Sequence, residues 1–119
     1  MNISLKKIDD TFIMCLQGDF DIYNSTKVRD FFMRLLSRYI KKIVLDMDNV
    51  DYIDSTGIGV LINCFATSKK ENVKICICNV HGLVQRLIDL TRLSQFFTKA
   101  IDVNDAVKLL HSIGEDSTF

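Results

Sequence analysis

The chain has 119 residues, a length that suits one domain, and 48% of them are apolar, enough to build a core. Its 15 basic side chains balance 15 acidic ones, which argues against binding nucleic acid or anionic lipid through bulk charge. No apolar run approaches the ~20 residues of a membrane helix, and Met1-Asn2-Ile3-Ser4 shows no basic segment leading into an apolar one, so a cytoplasmic protein without membrane insertion is expected.

Ile3–Ile8 and Thr11–Gln17 read as two strands joined by a turn at Asp9-Asp10. Phe12, Met14 and Leu16 alternate there with Ile13, Cys15 and Gln17. Gly18-Asp19-Phe20-Asp21 ends the second strand, and Asn24 or Ser25 is placed to cap a helix. Val28, Phe31, Phe32, Leu35, Leu36 and Tyr39 form one apolar stripe, with Lys27, Arg29, Asp30, Arg34 and Arg38 mostly on the other face. Lys42–Asp46 reads as a buried strand, Thr56–Ser68 as a second helix and Val73–Cys78 as another buried strand. Leu83, Val84, Leu87 and Ile88 mark a third helix ending near Leu93. Phe97–Ile101 reads as a short edge strand, and Val103, Ala106, Val107 and Leu110 mark a last helix. With no proline, no linker and no repeat, residues 1–113 are expected to form one domain, followed by a flexible tail over 114–119.

The order β-β-α-β-α-β-α-(β)-α predicts an α/β fold: a mixed, mostly parallel sheet of four to five strands with about four helices. The opening hairpin supplies the antiparallel part. Sites in such sheets gather beyond the carboxyl ends of strands. Gly18–Asp21 and Asp51–Gly59 both lie at such ends.

Asp54-Ser55-Thr56-Gly57-Ile58-Gly59-Val60-Leu61 is the most informative stretch. It follows the apolar run Ile43-Val44-Leu45 and opens an apolar helix. Asp54 or Ser55 can accept bonds from the free amides of the first turn, and glycines allow a tight turn and close approach. Two readings follow. One is a plain helix cap. The other is a hydroxyl at a helix N-terminus, placed to receive or recognise a phosphate.

Other chemistries fit poorly. No Gly-Lys-Ser/Thr phosphate loop, Gly-x-Gly-x-x-Gly or Gly-x-Ser-x-Gly is present. His81 and His111 read as surface residues rather than catalysts. Asp46, Asp48, Asp51 and Asp54 lack the mid-loop glycine of a calcium site and read as solvated loop and caps. Cys76 and Cys78 alternate with Ile75 and Ile77 and so share a strand face, while Cys15 and Cys64 stand alone. Metal knuckles need a spacing of about two to four residues and a second pair, so these are read as buried, reduced thiols, with no metal and no cofactor.

Gly18-Asp19-Phe20-Asp21, Asn24-Ser25, Ile43-Val44-Leu45-Asp46, Asp54 to Leu61 and Leu87-Ile88-Asp89-Leu90-Thr91-Arg92-Leu93 together resemble the STAS domain of bacterial anti-sigma factor antagonists. The likeness runs in order over nearly the whole chain. It implies a non-enzymatic switch protein. Such a protein binds an anti-sigma factor that is also a serine kinase, and this frees a sigma factor. The kinase brings the ATP and phosphorylates the hydroxyl after the motif aspartate, here Ser55, with Thr56 as second candidate. A phosphatase resets the switch.

The resemblance carries Asp54 onto the motif aspartate and Asp21 onto a second acidic residue important for phosphorylation. It places Asp19, Asp21, Asn24, Asp54, Ser55, Thr56, Gly57, Ile58 and Gly59 against the partner, and implies a monomer when free with no direct nucleic-acid contact. A phosphoryl group on Ser55 is expected to be tolerated by free amides at the helix N-terminus. The alternatives are a scaffold or accessory STAS subunit of a transporter or stress-signalling complex, and a small hydrolase using Asp21, Asp54 and Ser55.

Overall fold

The computed structural model describes residues 1–116, with side chains described through Ser112. The chain begins with a hairpin, β1 (Asn2–Ile8) and β2 (Thr11–Gln17), paired antiparallel from Asn2↔Gln17 to Ile8↔Thr11. Asp9 makes the short connection by taking φ 54, a left-handed conformation that aspartate tolerates better than most residues. The elements that follow are α1 (Ser25–Ser37), β3 (Lys42–Asn49), α2 (Ser55–Lys70), β4 (Lys74–Cys78), α3 (Gly82–Leu90), β5 (Lys99–Ala100) and α4 (Val103–Asp116). A 3-10 turn over Ser94–Phe96 precedes β5.

The sheet has five strands in the order β1-β2-β3-β4-β5, and all pairs after the hairpin are parallel. The expected mixed, mostly parallel α/β sheet with four helices is therefore the observed one. Alternation along each strand splits the core between the two faces. Met14, Leu16, Ile43, Leu45, Ile75 and Ile77 pack with Val28, Phe32 and Leu35 of α1, Leu61 and Phe65 of α2, and Val84 and Ile88 of α3. Ile13, Val44, Cys76 and Cys78 pack with Ala106 and Leu110 of α4. Central strands covered on both faces read as continuous apolar runs, which is why Ile43-Val44-Leu45 shows no alternation.

All four cysteines are free thiols. Burial pushes the Cys64 thiol up to about 12, and burial together with the nearby Asp105 charge does the same to Cys76. Neither is a nucleophile at neutral pH.

Several boundaries differ from the sequence expectation. Tyr39 leaves the apolar stripe: it takes φ 63 and is 84% exposed. The α1 end is closed around it, with Tyr39 N–H donating to the Leu36 carbonyl at 3.0 Å and Ile40 N–H to the Leu35 carbonyl at 3.3 Å. This is the two-bond pattern of a Schellman stop, with tyrosine where glycine is usual. β3 runs past its expected end at Asp46 to Asn49, so Asp48 belongs to a strand rather than a solvated loop. Pairing with Cys15 and Cys78 carries the strand through Asp46, whose carboxylate accepts from Asn79 Nδ2 at 2.9 Å.

α3 stops at Leu90, three residues early. The Thr91 hydroxyl donates to the Ile88 carbonyl at 2.6 Å, and Arg92 turns left-handed at φ 60. β5 shrinks because Phe97 is drawn into the core against Phe65, with ring centroids 5.1 Å apart. α4 runs through Gly114 to Asp116, beyond the expected domain boundary at 113. Glycine inside a helix costs only about 1 kcal/mol and does not force a stop. Residues 117–119 of the expected tail lie outside the described residues.

Candidate functional site

Two loops at the carboxyl ends of β2 and β3 form the site. Gly18 takes φ 120, a conformation that side chains rarely adopt, and its N–H donates to the Asn49 carbonyl at 3.1 Å. Phe20 N–H then donates to the Tyr52 carbonyl at 2.9 Å, and the Phe20 carbonyl accepts from Asp54 N–H at 3.3 Å. The result is a parallel bridge between Phe20 and Ile53, both buried, so the loops stay registered beyond their strands.

Gly57 holds the helix against this bridge. A Cβ there would lie 2.3 Å from the Phe20 carbonyl oxygen and 2.8 Å from Ile53 Cγ1. No side chain fits that gap. Gly59 is different: it is exposed, and a Cβ would meet nothing within 4 Å. The expectation that both glycines serve close packing holds for Gly57 and fails for Gly59, because Gly59 points to solvent.

Asp54 is the N-cap of α2. Its Oδ1 accepts from Thr56 N–H at 2.9 Å, Thr56 Oγ1 at 2.5 Å and Gly57 N–H at 3.1 Å. Its Oδ2 accepts from Ile22 N–H at 3.0 Å. The bond from the Thr56 hydroxyl, followed by those from the three amides, holds this carboxyl below the usual aspartate value. One side chain thus caps a helix and pins the neighbouring loop.

Ser55 is the first residue of α2 and is exposed, and among the described residues its hydroxyl enters no hydrogen bond. The open reading between Asp54 and Ser55 as cap is therefore settled by geometry: Asp54 takes the amides and Ser55 keeps a free hydroxyl. This also narrows the expectation that first-turn amides stand free to receive a phosphoryl group: among the described residues the Ser55 N–H enters no hydrogen bond, but its neighbours do. The Thr56 and Gly57 amides already face Asp54. Thr56 is half-buried with its hydroxyl committed to the same carboxylate.

Asp21 organises the other loop. Its Oδ1 accepts from Tyr23 N–H at 3.0 Å, Asn24 N–H at 3.1 Å and Asn24 Nδ2 at 3.1 Å. Asn24 occupies the N-cap position of α1 without making a side-chain cap. Its amide nitrogen instead donates to the Asp19 carbonyl at 3.0 Å, bracing the loop. Asp19 itself is exposed. Asp19, Asp21 and Asp54 therefore do meet at one edge, with the last two engaged by backbone amides.

The expected set omitted an apolar rim. Ile22 is 62% exposed, Tyr23 89% and Leu90 76%. A groove between α2 and α3 is lined by Tyr52, Ser55, Ile58, Leu87, Leu90 and Thr91, with Ile53 and Asp54 at its base. The signal was present in part. Val84 and Ile88 form the buried stripe of α3, while Leu83, Leu87 and Leu90 form a second stripe at helical spacing, of which Leu87 packs half-buried against the core and Leu83 and Leu90 are exposed. Ile22 and Tyr23 gave no periodic sign, being apolar residues in a loop.

His81 stands at the N-cap position of α3, with Nε2 2.8 Å from the Asp48 carbonyl. Among the described residues no group of three or more His, Cys, Asp or Glu side chains is arranged to hold a metal ion. No helix among them is long and apolar enough to cross a membrane.

A family model described as a STAS domain matches residues 2–108. The anti-sigma F factor antagonist of Paenibacillus polymyxa is 27% identical over 94 residues, covering 78% of this chain and 80% of that protein. An anti-sigma factor antagonist from Mycobacterium paratuberculosis superposes with a TM-score of 0.84 at 17% identity, over 92% of this chain and 93% of that one. The Bacillus cell fate determinant SpoIIAA in its phosphorylated form gives a TM-score of 0.70 at 14% identity, over 92% of this chain and 99% of that one. With a hairpin-led parallel sheet and a capped helix where the family motif falls, this chain belongs to the STAS domain family.

Proposed function

We propose that the protein is an anti-sigma factor antagonist that binds an anti-sigma factor with serine-kinase activity, thereby releases a sigma factor, and loses this binding when the kinase phosphorylates Ser55. The observation that carries the reading is the exposed, unengaged hydroxyl of Ser55 beside a carboxylate that has already claimed the neighbouring amides. Support also comes from the relatives, which are antagonists of anti-sigma factors. The protein acts by docking, not by turnover. Its partner supplies ATP, a phosphatase resets the serine, and the free protein is a cytoplasmic monomer.

The switch follows from charge and surface shape. In the unmodified protein, Ser55 and Gly59 leave a low, small-residue patch beside Ile22, Tyr23, Tyr52 and Leu90. A partner covering that patch buries apolar area around a small neutral hydroxyl. A phosphoryl group adds a charge of about −1.5 to −2. The Thr56 and Gly57 amides are taken and Asp54 is anionic, which leaves the Ser55 N–H as local donor, so the group gains little counter-charge and stays in water. Docking would then bury an unpaired dianion, at a cost of several kcal/mol. A loss of 1.4 kcal/mol already weakens binding tenfold.

Asp21 and Asn24 act indirectly, by holding the loop that carries Ile22 and Tyr23. Thr56 is the second acceptor candidate, disfavoured by its bond to Asp54. The test is incubation with the partner kinase and ATP, followed by mass spectrometry. The expected result is one phosphoryl group on the peptide containing Ser55, absent in Ser55→Ala. Modification elsewhere, or capture of a transporter instead of a kinase in pull-downs, would replace this reading with that of an accessory subunit.

A further inference from the structure

A second concavity lies at the end of the sheet away from Ser55. Its walls come from Leu5 and Phe12 of the hairpin, Phe31 and Leu35 of α1, and Ile40 just before β3. Phe12 and Ile40 sit where parallel strands begin, whereas Ser55 follows the end of β3. The pocket has a volume of about 410 Å³, within the range of small-molecule sites. Its floor is apolar, and Leu5 is left 41% exposed at the opening.

The rim is cationic. Arg34 and Arg38 line the pocket one helical turn apart, and both are exposed. Neither guanidinium is paired with a carboxylate among the described residues, and no acidic side chain lines the pocket. Arg34 lies 5.3 Å from the Phe31 ring centroid, and Lys7 Nζ lies 5.4 Å from that of Phe12. Two cations, Arg34 and Lys7, thus lie over the aromatic walls of one apolar opening and Arg38 stands at its rim, in a chain whose net charge is zero. Like charges at this helical spacing repel. A helix C-terminus favours cations, which accounts for positive charge there but not for the apolar hollow between them.

We infer that this pocket binds a small amphiphilic anion, a free medium-chain fatty carboxylate. The acyl chain lies along Leu5, Phe12, Phe31 and Ile40, and the carboxylate bridges Arg34 and Arg38. Guanidinium forks match a carboxylate in a bidentate way, which a single ammonium does not. The concavity suits a chain that enters it rather than a flat protein surface laid over it. The inference does not depend on the Ser55 switch.

The test is titration of the full chain with octanoate, decanoate and dodecanoate below their micelle concentrations, followed by calorimetry and amide NMR. Saturable one-site binding is expected, with shifts at Leu5, Phe12, Phe31 and Ile40. Affinity should rise about fourfold per added methylene, the fold-change that ~0.8 kcal/mol per buried methylene gives. Arg34→Gln and Arg38→Gln should each weaken binding by about tenfold without lowering the melting temperature. Dodecyltrimethylammonium should not compete. Absence of saturable binding, equal binding of the cationic amphiphile, shifts confined to Ile22, Ser55 and Leu90, or binding only to phosphatidylglycerol vesicles would each overturn the proposal.

Discussion

At the scale of single residues, the site is built by one carboxylate and one missing side chain. Asp54 serves three amides and a hydroxyl, so Asp54→Ala should destabilise the fold by about 0.5–2 kcal/mol in chemical denaturation, the range for losing an N-cap. The pH dependence has a defined sign. The folded carboxyl titrates below its ordinary value of 3.8, so its stabilisation is present above that value and is lost as pH falls through the lowered folded value. Asp54→Asn should lose that acid-side dependence, which pH-dependent melting will reveal. The two glycines should behave oppositely. Gly57→Ala drives a methyl into the Phe20 carbonyl and should cost about 1–3 kcal/mol. Gly59→Ala meets nothing and should add about 0.5–1 kcal/mol, while placing a methyl beside Ser55 and weakening the partner complex.

At the scale of elements, the chain makes its stops without proline and with few glycines. Asn72 and Tyr39 both take left-handed φ at helix ends, 60 and 63. Asparagine adopts that region at little cost, and tyrosine does not. Tyr39→Gly should therefore raise stability by about 0.5–1 kcal/mol in thermal or urea unfolding. The same feature explains what was and was not legible in the sequence. Type and order of the elements followed from hydrophobic period, as in the Val28–Leu35 stripe and the Ile43-Val44-Leu45 run. A cap at Asp54 or Ser55 and the two loop signals at one sheet edge were legible for the same local reason, while the choice of Asp54 came from the geometry. The end of α1 was not, because tyrosine is a stop only through tertiary closure. β3 overran its expected end at Asp46 because pairing with β2 resumes at Gln17↔Asn49, past the irregularity between Cys15 and Gln17. The exposed rim of Ile22, Tyr23 and Leu90 was missed because apolar residues at the surface and in the core are of the same types.

At the scale of the whole molecule, the sheet brings two chain segments some thirty residues apart to one edge and locks them with the Phe20–Ile53 bridge. Under the proposed switch, this rigid seat would let phosphorylation of Ser55 act on binding rather than on folding. Leu90→Asp, on the exposed stripe of α3, should weaken the partner complex at least tenfold while changing stability by less than about 0.5 kcal/mol. The most direct measurement is the partner's dissociation constant for the unmodified and Ser55-phosphorylated protein, taken with the melting temperature of each. The account predicts at least a hundredfold loss of affinity with melting temperatures within about 2 °C. Equal affinities, or a loss of affinity that tracks a collapse of the fold, would contradict it.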